Sequence, residues 1–487
     1  MIAPNARAMR GVTMSAYRLF KYVLLASAAA IVMEPGPVFA QGRAKAPSNA
    51  ELQARLQALE AQMQTLQSEL AAAKSQAASA HAAAHVAEPK LIELQKKDEA
   101  LGAQVAAVEK KLPGDGFKVG DATVKISGFV KAEALASDFK DGVVARDAFL
   151  RDFYVPGQIP VGAGANAGQE FDAHSKQTRI AITVNRAVDK HKLSAYVEGD
   201  FQSAPGTQFS ERTTNATDFA LRRAYVTFDN WLFGQDWSTF QNVAALPETT
   251  DFIGPTEGTV FVRQAQARYT RKLNDKVSLQ FAAENAETSS ISPISAGLVE
   301  NDSDRIPDFV GRLNFKGKTA EFSLAAIGRE LVIDTGAFSD EQFGWGVSAG
   351  GKIMLGKKND VRFMLSGGEG IGRYLGLNFA PDVVAISTGP NRRIEKVPVL
   401  AGFVAGRFYL SEKVRTTLAY SMQQVDNDRA ISPLSANKQV WSAFGNIFYS
   451  PVKGFDLGIE YRHAERELEN GQKGELDRLH LVAKQSF

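Results

Sequence analysis

The chain contains no cysteine, which removes a disulfide framework, a thiolate metal site and a cysteine nucleophile together. Histidine is scarce, six residues in all, and no G-x-S-x-G elbow precedes a helix, so a barrel-borne hydrolase is disfavoured and no catalytic residue is assigned. An excess of one charge is lacking too. Lys plus Arg number 56 and Asp plus Glu 54 over 487 residues, far from the basic balance of a nucleic-acid binder. Past residue 40 no segment approaches the roughly 18 consecutive apolar residues of a helical membrane span, so any later span is not a helix.

What is present begins with an address. Arg7, Arg10, Arg18 and Lys21 precede an apolar run from Tyr22 to Met33, and Val38-Phe39-Ala40 follows. That is the order of a secretory signal peptide over residues 1–40, with cleavage after Ala40. Its removal takes away four bases and Glu34, a net +3, so the formal charge falls from +2 to about −1.

Residues 41–112 read as a coiled-coil segment with a break near Pro89. Leu52, Leu56, Leu59, Met63, Leu66 and Leu70 recur in the 3.5-residue rhythm of an a/d seam. A second seam runs Leu91, Leu94, Leu101, Val105, Val108 and Leu112, and Pro113-Gly114 ends it. His81 and His85 stand one helical turn apart without a third ligand, so no metal and no cofactor is expected.

From 117 to 487 the period changes to two. Sixteen segments alternate apolar with polar residues, from 123–133 to 476–487. Short links such as Asp229-Asn230 and Gly317-Lys318 alternate with long ones at 134–174, 203–218, 239–260, 287–306, 331–342, 371–397, 424–438 and 467–475. This sorting predicts an all-β transmembrane barrel of sixteen antiparallel strands in an outer membrane, contacting lipid and lipopolysaccharide. An even strand number puts both barrel ends on the short-turn, periplasmic side, and the coiled coil with them. The terminal Phe487 resembles the sorting signal read by the barrel-assembly machinery.

With the apolar parity facing lipid, Lys131, Arg179, Arg223, Arg268, Arg312, Arg329, Arg362, Arg407 and Arg462 point inward as pore-lining bases. Lys125, Lys192, Arg415, Arg478 and Lys484 share that parity, against the acids Glu133, Glu198, Asp200, Glu284, Asp456 and Glu460. Such an excess draws anions into a constriction and repels cations. The loop 239–260 carries Glu248, Asp251 and Glu257 and no Lys or Arg. Folded into the barrel, these acids would face the basic wall and set a transverse field across the eyelet.

The run from Leu221-Arg222-Arg223-Ala224-Tyr225 through Trp231-Leu232-Phe233-Gly234-Gln235-Asp236-Trp237 to Phe240 resembles the strand-turn-strand signature of the DcaP-like outer-membrane porins. Val262-Arg263-Gln264-Ala265-Gln266-Ala267-Arg268-Tyr269-Thr270, Ser127-Gly128-Phe129-Val130-Lys131, the leucine seam and Phe487 also match. The resemblance implies a homotrimer of sixteen-stranded barrels passing small organic anions such as dicarboxylates and aromatic acids, with Arg223 and Arg268 at the pore. The alternative is an outer-membrane anchoring protein whose periplasmic coiled coil binds a partner or peptidoglycan.

Overall fold

A computed structural model describes residues 116–487 except 147, 163–167 and 204–214, together with residues 63, 64, 68, 71, 74 and 75, which are helical. The chain parts into two units, 1–107 and 108–487. The signal peptide, Pro89 and the seam residues Leu52, Leu56, Leu59, Leu66 and Leu70 lie outside the described residues. Met63 is helical and exposed.

Sixteen antiparallel strands form the barrel of the second unit, and the short strands Phe117–Val119 and Gly168–His174 pair with its first strand. The barrel strands are β1 (Ala122–Phe139), β2 (Arg179–Val188), β3 (His191–Asp200), β4 (Ala220–Phe228), β5 (Trp231–Trp237), β6 (Arg263–Lys272), β7 (Val277–Glu284) and β8 (Asp308–Lys316). Then follow β9 (Ala320–Asp334), β10 (Ser339–Leu355), β11 (Asn359–Glu369), β12 (Pro398–Tyr409), β13 (Val414–Val425), β14 (Asn437–Val452), β15 (Phe455–Leu468) and β16 (Lys473–Ser486). Each pairs with its neighbours in order, and β16 closes on β1 from Phe139↔Leu476 to Phe129↔Ser486. Phe487 and Gly128 exchange backbone hydrogen bonds of 3.1 Å in both directions, so pairing runs to the last residue. Closure leaves no sheet edge, the condition for strands to lie in lipid.

The barrel is apolar outside and polar inside. Along β1, Ile126 and Val130 are exposed while Lys131, Glu133 and Ser137 are buried inward. Phe309 and Leu313 on β8, Leu400 and Val404 on β12, and Leu457, Ile459 and Tyr461 on β15 are exposed in the same way. The two-residue turns after β2 and β4 place Asp189 and Asp229 at φ of 53° and 51°, the left-handed geometry of tight hairpins.

Two of the expected long connections are instead hairpin tips. Strands β9 and β10 stay paired as far as Asp334↔Ser339, and Leu468 N–H bonds the Gln472 carbonyl beyond β15. The reason is visible at Leu331, Val332 and Ile333, all buried. Past the bilayer this hairpin is covered on both faces, by Val383 and Ile394 of the sixth external loop among others, so its residues no longer alternate. The fourth and sixth external loops also build a small sheet of their own, ordered Ser295–Glu300, Ser289–Ser292, Val383–Ile386 and Arg393–Lys396.

External loops fill much of the interior. Phe240, Ala245 and Val260 of the third loop and Tyr374, Leu375 and Phe379 of the sixth pack on inward residues Val310, Ile327, Met364, Val399 and Phe403. Leu150, Tyr154 and Ile159 of the first loop form a second core with Phe139, Ala464 and Leu476.

Candidate functional site

The third loop, between β5 and β6, is bound along the inner wall from β8 round to β1. Arg312 donates to the carbonyls of Thr239 and Gln241. Asn242 Nδ2 donates to Ser323 Oγ at 2.7 Å, and Arg362 to the Leu246 carbonyl. Further along, Arg415 grips the Glu248 carboxylate at 2.7 Å, Glu460 accepts from Thr249 and Thr250, and Lys131 Nζ donates to the Thr250 carbonyl at 2.6 Å. A polar loop is held inside a barrel because its backbone groups find these wall partners in place of water.

This path corrects the expected role of the loop acids. Asp251 and Glu257 are buried and do not face an open eyelet. Asp251 accepts the Tyr154 N–H at 3.0 Å and lies 3.9 Å from Arg462. Glu257 has no exposure, and among the described residues neither carboxylate oxygen has a hydrogen-bond partner within normal geometry. Glu248 alone keeps some exposure, and its charge is matched by Arg415.

The predicted bases divide by exposure. Arg329 and Arg462 have side chains 0% and 2% exposed and are not open to the lumen. Arg329 is enclosed by Asp308, Asp382 and the Gly370 carbonyl beneath the sixth loop, and Arg462 by Glu460 and the Tyr154 ring. Lys131 is nearly closed off by Glu133 at 2.8 Å. The partly open guanidiniums form two groups. On β2–β6, Arg179 and Arg222 pair with Asp200 at 2.7 and 2.5 Å, Arg223 with Glu198 at 2.9 Å and Asp236 at 3.3 Å, and Arg268 with Asp236 at 2.8 Å. On β11–β12, Arg362 and Arg407 share Asp360 at 2.7 and 2.5 Å. Arg312 meets carbonyls and no carboxylate within ion-pair reach among the described residues. A chamber of about 400 Å³ is lined by Arg223, Arg268, Arg312, Asp236, Gln280 and Asn314, among others. Its walls can hold a small anion by exchangeable contacts.

The sequence model of the DcaP outer membrane protein family matches residues 110–487. The chain belongs to this family. Among solved structures, the outer membrane channel DcaP of Acinetobacter baumannii is 25% identical over 76% of this chain and 99% of that one, with a TM-score of 0.63. OmpT of Vibrio cholerae is 12% identical over 76% and 99%, with a TM-score of 0.46. An anion-selective porin from Comamonas acidovorans is 9% identical over 75% and 100%, with a TM-score of 0.47. No curated protein sequence matches. The chain is thus a closed sixteen-stranded β-barrel of an outer-membrane channel family.

Within this DcaP-family barrel several charged residues escaped the parity reading. Arg222 and Arg223 both turn inward because the β3–β4 register shifts between Glu198 and Gly199. The bulge leaves Leu221 exposed and brings Arg222 over the Phe252 ring at 5.4 Å. Two successive arginines in an alternating strand were the available signal. Asp236, Asp308 and Asp360 also line the inner wall. They lower the inward excess of base that the sequence count gave.

Proposed function

We propose that the protein is a passive outer-membrane pore for small hydrophilic solutes that prefers small organic anions, dicarboxylates and aromatic acids among them. The observation that carries this reading is the β2–β6 wall, where Arg179, Arg222, Arg223 and Arg268 share, among the described residues, Glu198, Asp200 and Asp236. A cluster of guanidiniums short of carboxylates, partly open to the lumen, attracts an anion and releases it because each contact is shared. Glu248 keeps the constriction-loop role by holding the loop to Arg415, so the loop narrows the lumen without adding free negative charge.

The working assembly is a homotrimer with a periplasmic coiled coil through the leucine seam. On β16, β1, β2 and β3 the exposed large residues are aliphatic, such as Leu479, Leu481, Ile126, Val130, Ile180, Ile182 and Val197. Exposed aromatics stand on β4–β5, at Phe228, Trp231 and Phe233, and on β7–β15, at Phe281, Phe309, Phe315, Phe343, Trp345, Tyr420, Tyr449 and Tyr461. Aromatic girdles mark a wall that meets the lipid–water interface, and the β16–β3 wall, whose exposed aromatics among the described residues (Phe117, Phe171 and Phe487) lie at its ends, is the one we assign to a neighbouring barrel.

The test is single-channel recording of the purified protein across a KCl gradient. Chloride selectivity, three-step conductance and block by added dicarboxylates are expected. A cation-selective reversal potential overturns the anion reading.

A further inference from the structure

Arg466 continues the inward row of β15 beyond Arg462 and Ala464 toward the external loops. Its Nε donates to Asn437 Oδ1 at 2.8 Å and its Nη1 to the Ile159 carbonyl at 2.8 Å. Both acceptors are neutral. Among the described residues no carboxylate pairs with it and nothing accepts from its Nη2, whereas Arg329, Arg362, Arg407, Arg415 and Arg462 each have a carboxylate. The guanidinium borders a cavity of about 240 Å³ where the first, fourth, sixth and seventh external loops converge. Ile291, Leu298, Leu377 and Phe379 supply its apolar lining, and Asn378 and Asn437 its amides.

We propose that this cavity is a binding site for a small monocarboxylate with a single aromatic ring or a short aliphatic body, separate from the eyelet. The carboxylate takes the free edge of Arg466, supplying the counter-charge the chain itself withholds. The body sits among Ile291, Leu298, Leu377 and Phe379. The volume falls below the roughly 300–1,000 Å³ of sites for drug-sized ligands, which limits the occupant to about one ring. A second carboxylate would be carried into the cavity without a second cation among the described residues to pair it, so this site selects against dicarboxylates. It stands whether or not the pore prefers anions.

The experiment is calorimetry on the detergent-purified full-length protein, with benzoate as probe. Benzoate is expected to bind, and benzyl alcohol, acetate and terephthalate to bind about tenfold more weakly or worse, the worth of one charge-assisted pair or of the buried ring. Arg466→Gln weakens benzoate by about the same factor. Because Arg466 also ties Ile159 and Asn437, Leu298→Asp is the second variant: it keeps those hydrogen bonds and sets a negative charge against the ligand. Photolabelling with 4-azidobenzoate is expected to mark residues 291–298 and 377–381. No benzoate binding, equal binding of benzyl alcohol, full binding in both variants, or label confined to the surroundings of Arg223 and Arg268 would each overturn the site. The last of these leaves the pore reading standing, and a cation-selective pore with a labelled cavity removes only the pore reading.

Discussion

Replacing Arg268 by Met removes one partly open guanidinium from the chamber with little structural damage. Its Asp236 partner remains held by Arg223 at 3.3 Å, and the Met side chain preserves the stem packing. A chloride ion about 4 Å from that guanidinium gains about 1 kcal/mol in a water-like dielectric. At 0.1 M salt the Debye length of about 10 Å leaves roughly two-thirds of this, equivalent to about a threefold loss of chloride occupancy on substitution. The same charge repels potassium by a similar amount, so the chloride-to-potassium permeability ratio is expected to fall by about tenfold. At 1 M salt the Debye length of about 3 Å leaves about a quarter of the interaction, and the ratio should then change only about twofold. The assay is the reversal potential in a KCl gradient at both mean concentrations. An unchanged ratio at low salt shows that permeating ions do not pass near Arg268. A loss of selectivity equally large at high salt points to a deformed pore rather than a missing charge.

Three further perturbations probe the third loop. Burial pushes the Glu257 carboxyl above its usual range although Arg462 pulls the other way, so docking favours the protonated form. Its contribution is full below the ordinary carboxylate value and is lost as pH rises through the raised one. Glu257→Gln should flatten this dependence and raise the unfolding midpoint at neutral pH, and a lowered midpoint would show that the charge is needed. A Cβ on Gly258 would stand 2.3 Å from the Gly402 carbonyl oxygen and 2.6 Å from Ser421 Oγ, so Gly258→Val should displace the loop, cost about 1–3 kcal/mol and change single-channel conductance. An unaltered conductance there would mean that the loop does not limit the passage. Glu460 accepts from Thr249, Thr250 and Asn446, and Glu460→Ala strands those donors and weakens the balance around Arg462. Increased current noise and a stability loss of about 3–5 kcal/mol are expected, read from bilayer recordings and thermal unfolding in detergent.

The barrel was legible because lipid enforces the pattern. A charge on the outer face is costly, so Ile126 and Val130 against Lys131 and Glu133 announce their sides from sequence alone. Legibility ends where that constraint ends. Leu331–Ile333 are covered on both faces above the bilayer, and the alternation that marks a strand disappears there although the strand continues. Arg222 was hidden by a bulge, which reverses parity through a register shift marked in the sequence by two successive arginines alone. Asp308 and Asp360 stand on the same parity as Arg312 and Arg362 and were readable in principle. The course of the third loop was not. Its acids are neutralised or buried by contacts such as Glu248 to Arg415 and Asp251 to Arg462, between residues far apart in the chain, and period-two reading holds no information on such pairs.

That course changes where selectivity has to come from. An acidic loop facing a basic wall would produce a field across the lumen, but Glu248 and Asp251 are turned to arginines behind the loop and Glu257 is withdrawn from water. In a ring of sixteen strands paired in order, β4 and β12 stand eight positions apart and therefore on opposite sides. Arg223 on β4 and Arg407 on β12 thus belong to facing groups, and in each, among the described residues, the guanidiniums outnumber the carboxylates they share. On the proposed reading, positive charge on opposing walls would attract anions from both sides and leave a cation no favourable lane. Such a pore is governed by the number of guanidiniums left short of carboxylates. Added salt weakens its selectivity by screening, and reversing the charge of Glu248, which lies against Arg415, should alter loop position before it alters ion preference.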